Sequence, residues 1–281
     1  MTTNTPVLDN HLHLDLDHGR GVEAVTDFVR SGGTHLLVVN KPSWQLGVDV
    51  ARDEDFRVAF EATIEAVDAA TEVLSGRAWP VLGVHPALIS RLVDDRGMSP
   101  AEAADLMTSG IDVAAEYVSA GRALALKTGR PHYEVEPAVW EASNDVIRHT
   151  FARAAAVDCA VQLHTEASED LTEITDWAAA VDLPAHRVVK HYAGGRLAGP
   201  IPSVTSSRDH LEVVVERGAP FLMETDYLDD PDRPGAVLGP KTVPRRVDWL
   251  VERGDEAAVR TAHVETPRLV YGIDMVATID R

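Results

Sequence analysis

Eight short apolar runs, separated by longer stretches with apolar residues at helical spacing, predict an α/β protein folded as a single (β/α)8 TIM barrel. Two further observations agree. A chain of 281 residues with 45% hydrophobic content can bury a large core, and no break in composition divides it, so residues 1–281 read as one domain.

The first strand is expected over residues 7–14, where alternation places His11 and His13 on one face and Leu12 and Leu14 on the other. Seven more are expected at 34–40, 79–85, 122–128, 159–164, 187–191, 201–206 and 220–226. Between them, residues 53–75 carry Phe56, Phe60, Ile64 and Val67 at helical spacing, and residues 101–120 follow the turn Ser99-Pro100. Residues 140–157, 170–180 and 207–217 supply three more helices. After the last strand, residues 228–246 are rich in Pro, Gly and charge and read as a loop or lid, and residues 247–281 read mostly as closing helix.

Composition narrows the function classes. Acidic residues outnumber basic ones by 45 to 26, for a formal net charge of −19, and Lys41, Lys127, Lys190 and Lys241 are the only lysines. Such a surface suits solubility at high salt and points to a halophilic source, with codon bias the competing account of the missing lysines. No basic face for nucleic acid is evident. No apolar run is long enough to span a bilayer, and residues 1–6 lack the features of a secretory signal. With Cys159 as the one cysteine, unable to form an intrachain disulfide and read as buried filler, the expectation is a cytoplasmic protein without a membrane partner.

In a (β/α)8 barrel the C-terminal strand ends converge on one mouth, where chemistry is done. Five of the eight expected strands end in a potential ligand: His11 and His13, then Lys127, His164, His191 and Asp226. Two histidines placed as His11 and His13 are can chelate one metal ion. The stretches Asp9-Asn10-His11-Leu12-His13-Leu14, Gly83-Val84-His85-Pro86, His191-Tyr192-Ala193-Gly194-Gly195 and Glu224-Thr225-Asp226 together resemble the amidohydrolase superfamily. Specifically, the chain resembles the TatD-related metal-dependent hydrolases over most of residues 7–272.

That resemblance implies a metal-dependent hydrolase barrel with two divalent ions. His11, His13 and Asp226 would hold the first, His164 and His191 the second, and the strand-four residue would bridge them. Imidazole and carboxylate suit zinc, manganese or related ions; zinc is the first expectation, with manganese, magnesium or others as alternatives, since ligand type alone does not choose between them. The bridge departs from the TatD pattern, which has Glu where this chain has Lys127. An ammonium between two cations is repulsive, whereas N6-carboxylation of Lys127 would give a carbamate with one oxygen for each metal. Pairing of Lys127 with Asp226 in a metal-free or one-metal barrel is the alternative.

Two metals sharing a water would generate the attacking hydroxide, with Asp226 as general acid and base. His85, Arg130, His132 and Tyr192 are candidate substrate contacts, with a turn role the alternative for His85, ordinary loop structure for Arg130 and His132, and ordering of the ligands for Tyr192. Tyr133 is a further phosphate or carboxylate contact on the same loop. Glu166, where many TatD proteins have Arg, and Glu224 are candidate supports for the ligands, and Lys190 is expected on the opposite strand face as a packing or salt-bridge residue. The resemblance implies a TatD-like phosphodiesterase or deoxyribonuclease acting on nucleic acid. Hydrolysis of a small ester, lactone, amide or phosphotriester is the second reading, and a non-catalytic metal- or ligand-binding barrel the third.

Overall fold

A computed structural model of the chain describes residues 5–233 and 237–279. Its elements run β1 (Leu8–His13), α1 (Val22–Arg30), β2 (His35–Val39), α2 (Phe56–Thr71), β3 (Ala78–Gly83), α3 (Leu88–Ser90), α4 (Pro100–Ser119), β4 (Ala125–Gly129) and α5 (Pro137–Ala156). They continue with β5 (Ala160–His164), α6 (Thr172–Ala179), β6 (Val188–Ala193), β7 (Ile201–Thr205), α7 (Arg208–Arg217), β8 (Leu222–Glu224), β9 (Tyr227–Leu228), α8 (Thr242–Glu252), α9 (Glu256–Arg260) and α10 (Thr266–Tyr271).

All nine strands are parallel and form one curled sheet in the order β8-β7-β6-β5-β4-β3-β2-β1-β9. The expected barrel of eight strands is thus observed as a curled nine-strand sheet. Its two ends belong to one chain segment: β8 and β9 are separated only by Thr225 and Asp226. At that break Asp226 adopts φ 53° and its N–H donates to the His11 carbonyl at 2.9 Å.

Both faces of the sheet are packed, so the strands lack polar alternation over most of their length. Leu8, Leu37, Val39, Val81, Ala125, Val189 and Leu222 share the inner cluster with Val270 and Tyr271. Leu82, Leu126, Val161 and Leu163 pack outward against Phe60, Met107, Ile111 and Phe151 of the helices. Helix α4 starts where its capping box dictates, with Ser99 and Glu102 satisfying each other's backbone N–H and Pro100 in the first turn. Gly83 and Gly129 end β3 and β4 where the strands crowd at the mouth. A Cβ at Gly83 would collide with the Lys127 carbonyl oxygen, and one at Gly129 with that of His164.

Several boundaries differ from the sequence expectation. The eighth strand is split, because the positive φ at Asp226 breaks the ladder. Helix α1 was not anticipated. The helix expected over 53–75 is a short 3-10 turn, Asp53–Asp55, followed by α2. The loop expected over 228–246 is shorter, since α8 starts at Thr242 with Pro244 tolerated in its first turn; residues 234–236 of that loop lie outside the described residues. The closing helix is three short pieces with a π-helical turn, Thr261–Glu265, and residues 272–279 are not helical.

Candidate metal centre

The ligand-bearing strands leave regular geometry just where their side chains are needed. Between Asp9 and Leu12, β1 advances three residues while β2 advances two, from Leu36 to Val38. Between Lys190 and Ala193, β6 makes the same one-residue excess against β7. Such bulges re-aim side chains. In β1 the bulge lets Asn10, bonded through its Nδ2 to Ser203 at 3.0 Å, and His11 both turn inward, while Leu12 and Leu14 pack outward with Leu36 and Val38.

His11 and His13 are each held by one ring nitrogen. His11 Nδ1 pairs with Gln162 Oε1 and His13 Nδ1 with the Val39 carbonyl, both at 2.7 Å. Acceptors at Nδ1 place the proton there and leave Nε2 as a lone-pair donor. The Nε2 atoms converge on Asp226 Oδ1, at 3.8 Å from His11 and 3.9 Å from His13. Ligand atoms of His11, His13 and Asp226 all lie within 4.8 Å of one another, and the buried His11 Nε2 has no hydrogen-bond partner. Burial, reinforced by Lys127, pulls both imidazoles well down toward the neutral form, His13 to about 3. Burial also pushes the Asp226 carboxyl up to about 6 against the opposing pull of Lys127.

His191 stacks on His11 with ring centroids 3.8 Å apart. Its Nδ1 donates to Glu224 Oε1 at 2.9 Å, and its Nε2 lies 3.1 Å from Nδ1 of His164. Glu224 is buried and fully engaged: Oε1 also accepts the Tyr192 N–H at 2.6 Å, and Oε2 accepts the Ser203 hydroxyl. It therefore orients His191, although its oxygens also fall within ligand range of His11 and His191. His164 Nε2 lies 3.0 Å from His132 Nδ1, and the His85 ring sits 4.7 Å from the His164 ring.

Lys127 is 1% exposed, and burial draws its amine down to about 8 while Asp226 and Glu224 pull the other way. The alternative in which it pairs with Asp226 does not form among the described residues; Asp226 is approached by His11 and His13 instead. His85 Nδ1 accepts the Ala87 N–H at 3.2 Å, a turn contact. Tyr192 is 55% exposed at the mouth. Tyr133 is also exposed, its hydroxyl 2.9 Å from that of Ser90. Arg130 and Glu166 face each other in a forked ion pair. Lys190, expected to point away from the site, is buried with its Nζ donating to the His191 carbonyl at 2.6 Å, and its charge acts on Glu224 and Asp226. Cys159 is buried, and burial pushes its thiol up to about 12.

Sequence reasoning missed three contributors. Gln162 holds His11 and also donates to the Asn10 carbonyl at 3.0 Å; its place two residues before His164 was the available signal. Asp9 accepts the Thr225 N–H at 3.0 Å and hydroxyl at 2.6 Å, which ties β1 to the segment bearing Asp226. Buried Asp229 accepts the N–H groups of Asp15, Arg20 and Gly21, while Lys41 bridges Asp15 Oδ2 at 2.8 Å and the Asp229 carbonyl at 2.5 Å. Nothing in the local sequence announces that last network.

Residues 8–272 match the sequence profile described as TatD related DNase. The chain belongs to the TatD-related DNase family. A curated relative, an uncharacterized protein of Methanocaldococcus jannaschii, is 36% identical over 96% of this chain and 97% of its own length. Among solved structures, a TatD homologue of Escherichia coli K12 aligns with TM-score 0.61 at 16% identity, covering 95% of this chain and 98% of the other. A TatD-like protein of Archaeoglobus fulgidus gives 0.60 at 16%, over 93% and 98%. A lactonase of Listeria monocytogenes gives 0.59 at 13%, over 96% and 95%. At those identities the structures share the fold with this TatD-family chain.

Proposed function

We propose that this TatD-family protein is a metal-dependent hydrolase whose reaction takes place between His11, His13, Lys127, His164, His191 and Asp226 at the mouth of a closed barrel. Family membership and the shared hydrolase fold support the hydrolase class. Barrel closure is supported by the single segment that carries both ends of the sheet.

The observation that carries the reading is the bare, buried His11 Nε2 facing His13 Nε2 and Asp226 Oδ1. Donors 3.8 and 3.9 Å from one carboxylate oxygen are too far apart to hydrogen-bond. They are close enough to share an ion whose ligand bonds are about 2.0–2.2 Å. The residues fit a divalent cation. His11, His13 and Asp226 would hold one ion and His164 with His191 a second, zinc being favoured over manganese or magnesium for this donor set. Bound there, the ions would lower the pKa of a water and polarise the scissile C=O or P=O group.

The chain supplies the rest. Asp226, the one partly exposed member of the first set, takes the proton of the attacking water and returns it to the leaving group. Gln162, the Val39 carbonyl and Glu224 keep His11, His13 and His191 in the tautomers that carry the proton on Nδ1. Lys127, buried and drawn toward the neutral amine, would take up CO2 with loss of a proton, and as the carbamate it would help to hold the ions. His85, His132 and Tyr192 form the wall against which substrate rests.

Phosphodiester cleavage is the reading the family description supports, and a small ester or lactone is the second, favoured by the Arg130–Glu166 pair at the mouth. The test is elemental analysis of purified protein before and after chelation and reloading, followed by assay on single-stranded DNA and on esters and lactones. Uptake of two ions and metal-restored hydrolysis are expected. A folded protein that takes up no divalent ion overturns the proposal.

A further inference from the structure

The last helix brings a hydroxyl to the inner face of the sheet, beneath the metal centre. His263 accepts the Leu8 N–H at 3.0 Å and so seats the closing segment at the start of β1, and Tyr271, the final residue of α10, lies buried among the inward side chains of the strands. Its hydroxyl accepts from Gln162 Nε2 at 3.0 Å and donates to Asn10 Oδ1 at 2.8 Å. Gln162 Oε1 in turn holds His11 Nδ1 at 2.7 Å. On the other side, Asn10 Nδ2 donates to Ser203 Oγ at 3.0 Å, the Ser203 hydroxyl donates to Glu224 Oε2, and Glu224 Oε1 accepts from His191 Nδ1 at 2.9 Å. Six hydrogen bonds thus run without a gap from the Nδ1 of His11 to the Nδ1 of His191, with Tyr271 between them.

The sense of each bond is fixed. Gln162 Nε2 also donates to the Asn10 carbonyl at 3.0 Å, which can only accept, so the amide cannot turn over and Oε1 must face His11. The Tyr271 hydroxyl has a single proton and, accepting from Gln162, gives that proton to Asn10 Oδ1. The Asn10 amide nitrogen is thereby turned toward Ser203, and Ser203 passes its own proton to Glu224. Asn10, Gln162, Ser203 and Glu224 are all fully buried, where such bonds polarise one another. Apolar groups of the same shape would hold the strands about as well. What a polar series adds is orientation, and both of its ends are the Nδ1 atoms of proposed metal ligands.

We infer that Tyr271 is a positioning residue shared by the two ion sites: through Gln162 it helps to fix His11, and through Asn10, Ser203 and Glu224 it helps to fix His191, while touching neither ring. The inference rests on the two-ion reading of the centre.

Release of zinc to graded chelator from zinc-loaded Tyr271→Phe, Ser203→Ala, their double variant and Tyr117→Phe tests it, with circular dichroism and urea melting to establish that each is folded. Tyr117 is the control, a buried tyrosine whose hydroxyl bonds Glu61 among the outer helices. Tyr271→Phe is expected to weaken the binding of both ions by about tenfold, the lower end of what outer partners of metal ligands contribute, and Tyr117→Phe to weaken neither. Because Tyr271 and Ser203 act through the same series, the double variant should lose less than the product of the two single losses. Should Tyr271→Phe not fold, the chemical shift of the Tyr271 ring Cζ in the parent supplies the test and is expected to move as zinc is loaded. A folded Tyr271→Phe that holds both ions as tightly as the parent, an equal loss in Tyr117→Phe, single losses that simply multiply, or a Cζ shift indifferent to zinc overturns the inference and leaves the two-ion reading standing. A parent that takes up no zinc defeats that reading and the inference with it.

Discussion

Histidines are buried at both ends of the sheet, and the two sets differ in what surrounds them. At the base, His35 offers Nδ1 to the Thr34 hydroxyl at 2.7 Å and Nε2 to that of Thr278 at 2.9 Å, and its ring stacks on Trp79. His263 accepts the Leu8 N–H at 3.0 Å. At the mouth, His11 and His13 are each held on one side only, and the free nitrogens point at one carboxylate. A bare nitrogen is not sufficient by itself, since buried His263 Nε2 is also unpartnered. Convergence of several donors decides. Cavity size does not: a groove of about 800 Å³ opens at the base beside Arg77, Trp79 and Leu124, where no such donor set forms among the described residues.

The sharpest way to break this contrast is to remove the group on which the mouth converges. Asp226→Asn is expected to lower kcat by about 10³-fold, within the range for loss of a positioned acid or base, while metal analysis shows at least one ion retained. Turnover within tenfold of the parent would place the proton transfer elsewhere. Next in size, Glu224→Gln replaces the carboxyl group that orients His191 with an amide and is expected to weaken metal binding by about 10–100-fold. Competition with a chelator measures it, and unchanged affinity would mean that His191 needs no such support.

The base is probed through pH. Burial lowers His35 to about 4 from an ordinary value near 6.5. Between those values the unfolded chain binds a proton that the folded chain refuses, so stability rises with pH across that window and falls on acidification. The full contribution is about 3 kcal/mol for the one ring. Urea midpoints of the parent between pH 7 and 4 should show the fall, and His35→Gln should make it shallower by the share of one ring, the other buried histidines still contributing, while leaving metal content and turnover unchanged. A change in metal stoichiometry in His35→Gln would erase the distinction between the two ends. Smallest in reach, Ser203→Ala removes one hydroxyl donor from Glu224 and should weaken metal binding by less than Glu224→Gln does. An effect as large as that of Glu224→Gln would shift the weight of the support onto the Ser203–Asn10 pair.

Much of this arrangement was legible beforehand. Apolar runs located the parallel strands within a few residues, and period-two alternation put His11 and His13 on one face, as their common approach to Asp226 shows despite the bulge before them. Position at C-terminal strand ends likewise identified residues that the fold brings together at one mouth. Only the tertiary structure decided the rest. The bulges in β1 and β6 and the positive φ at Asp226 depend on pairing with neighbouring strands, which local propensity does not encode. Partners such as Gln162 for His11, Glu224 for His191 and Asp229 for the loop after β1 are far away in sequence, and a buried polar group finds its partner only when the sheet curls and excludes water.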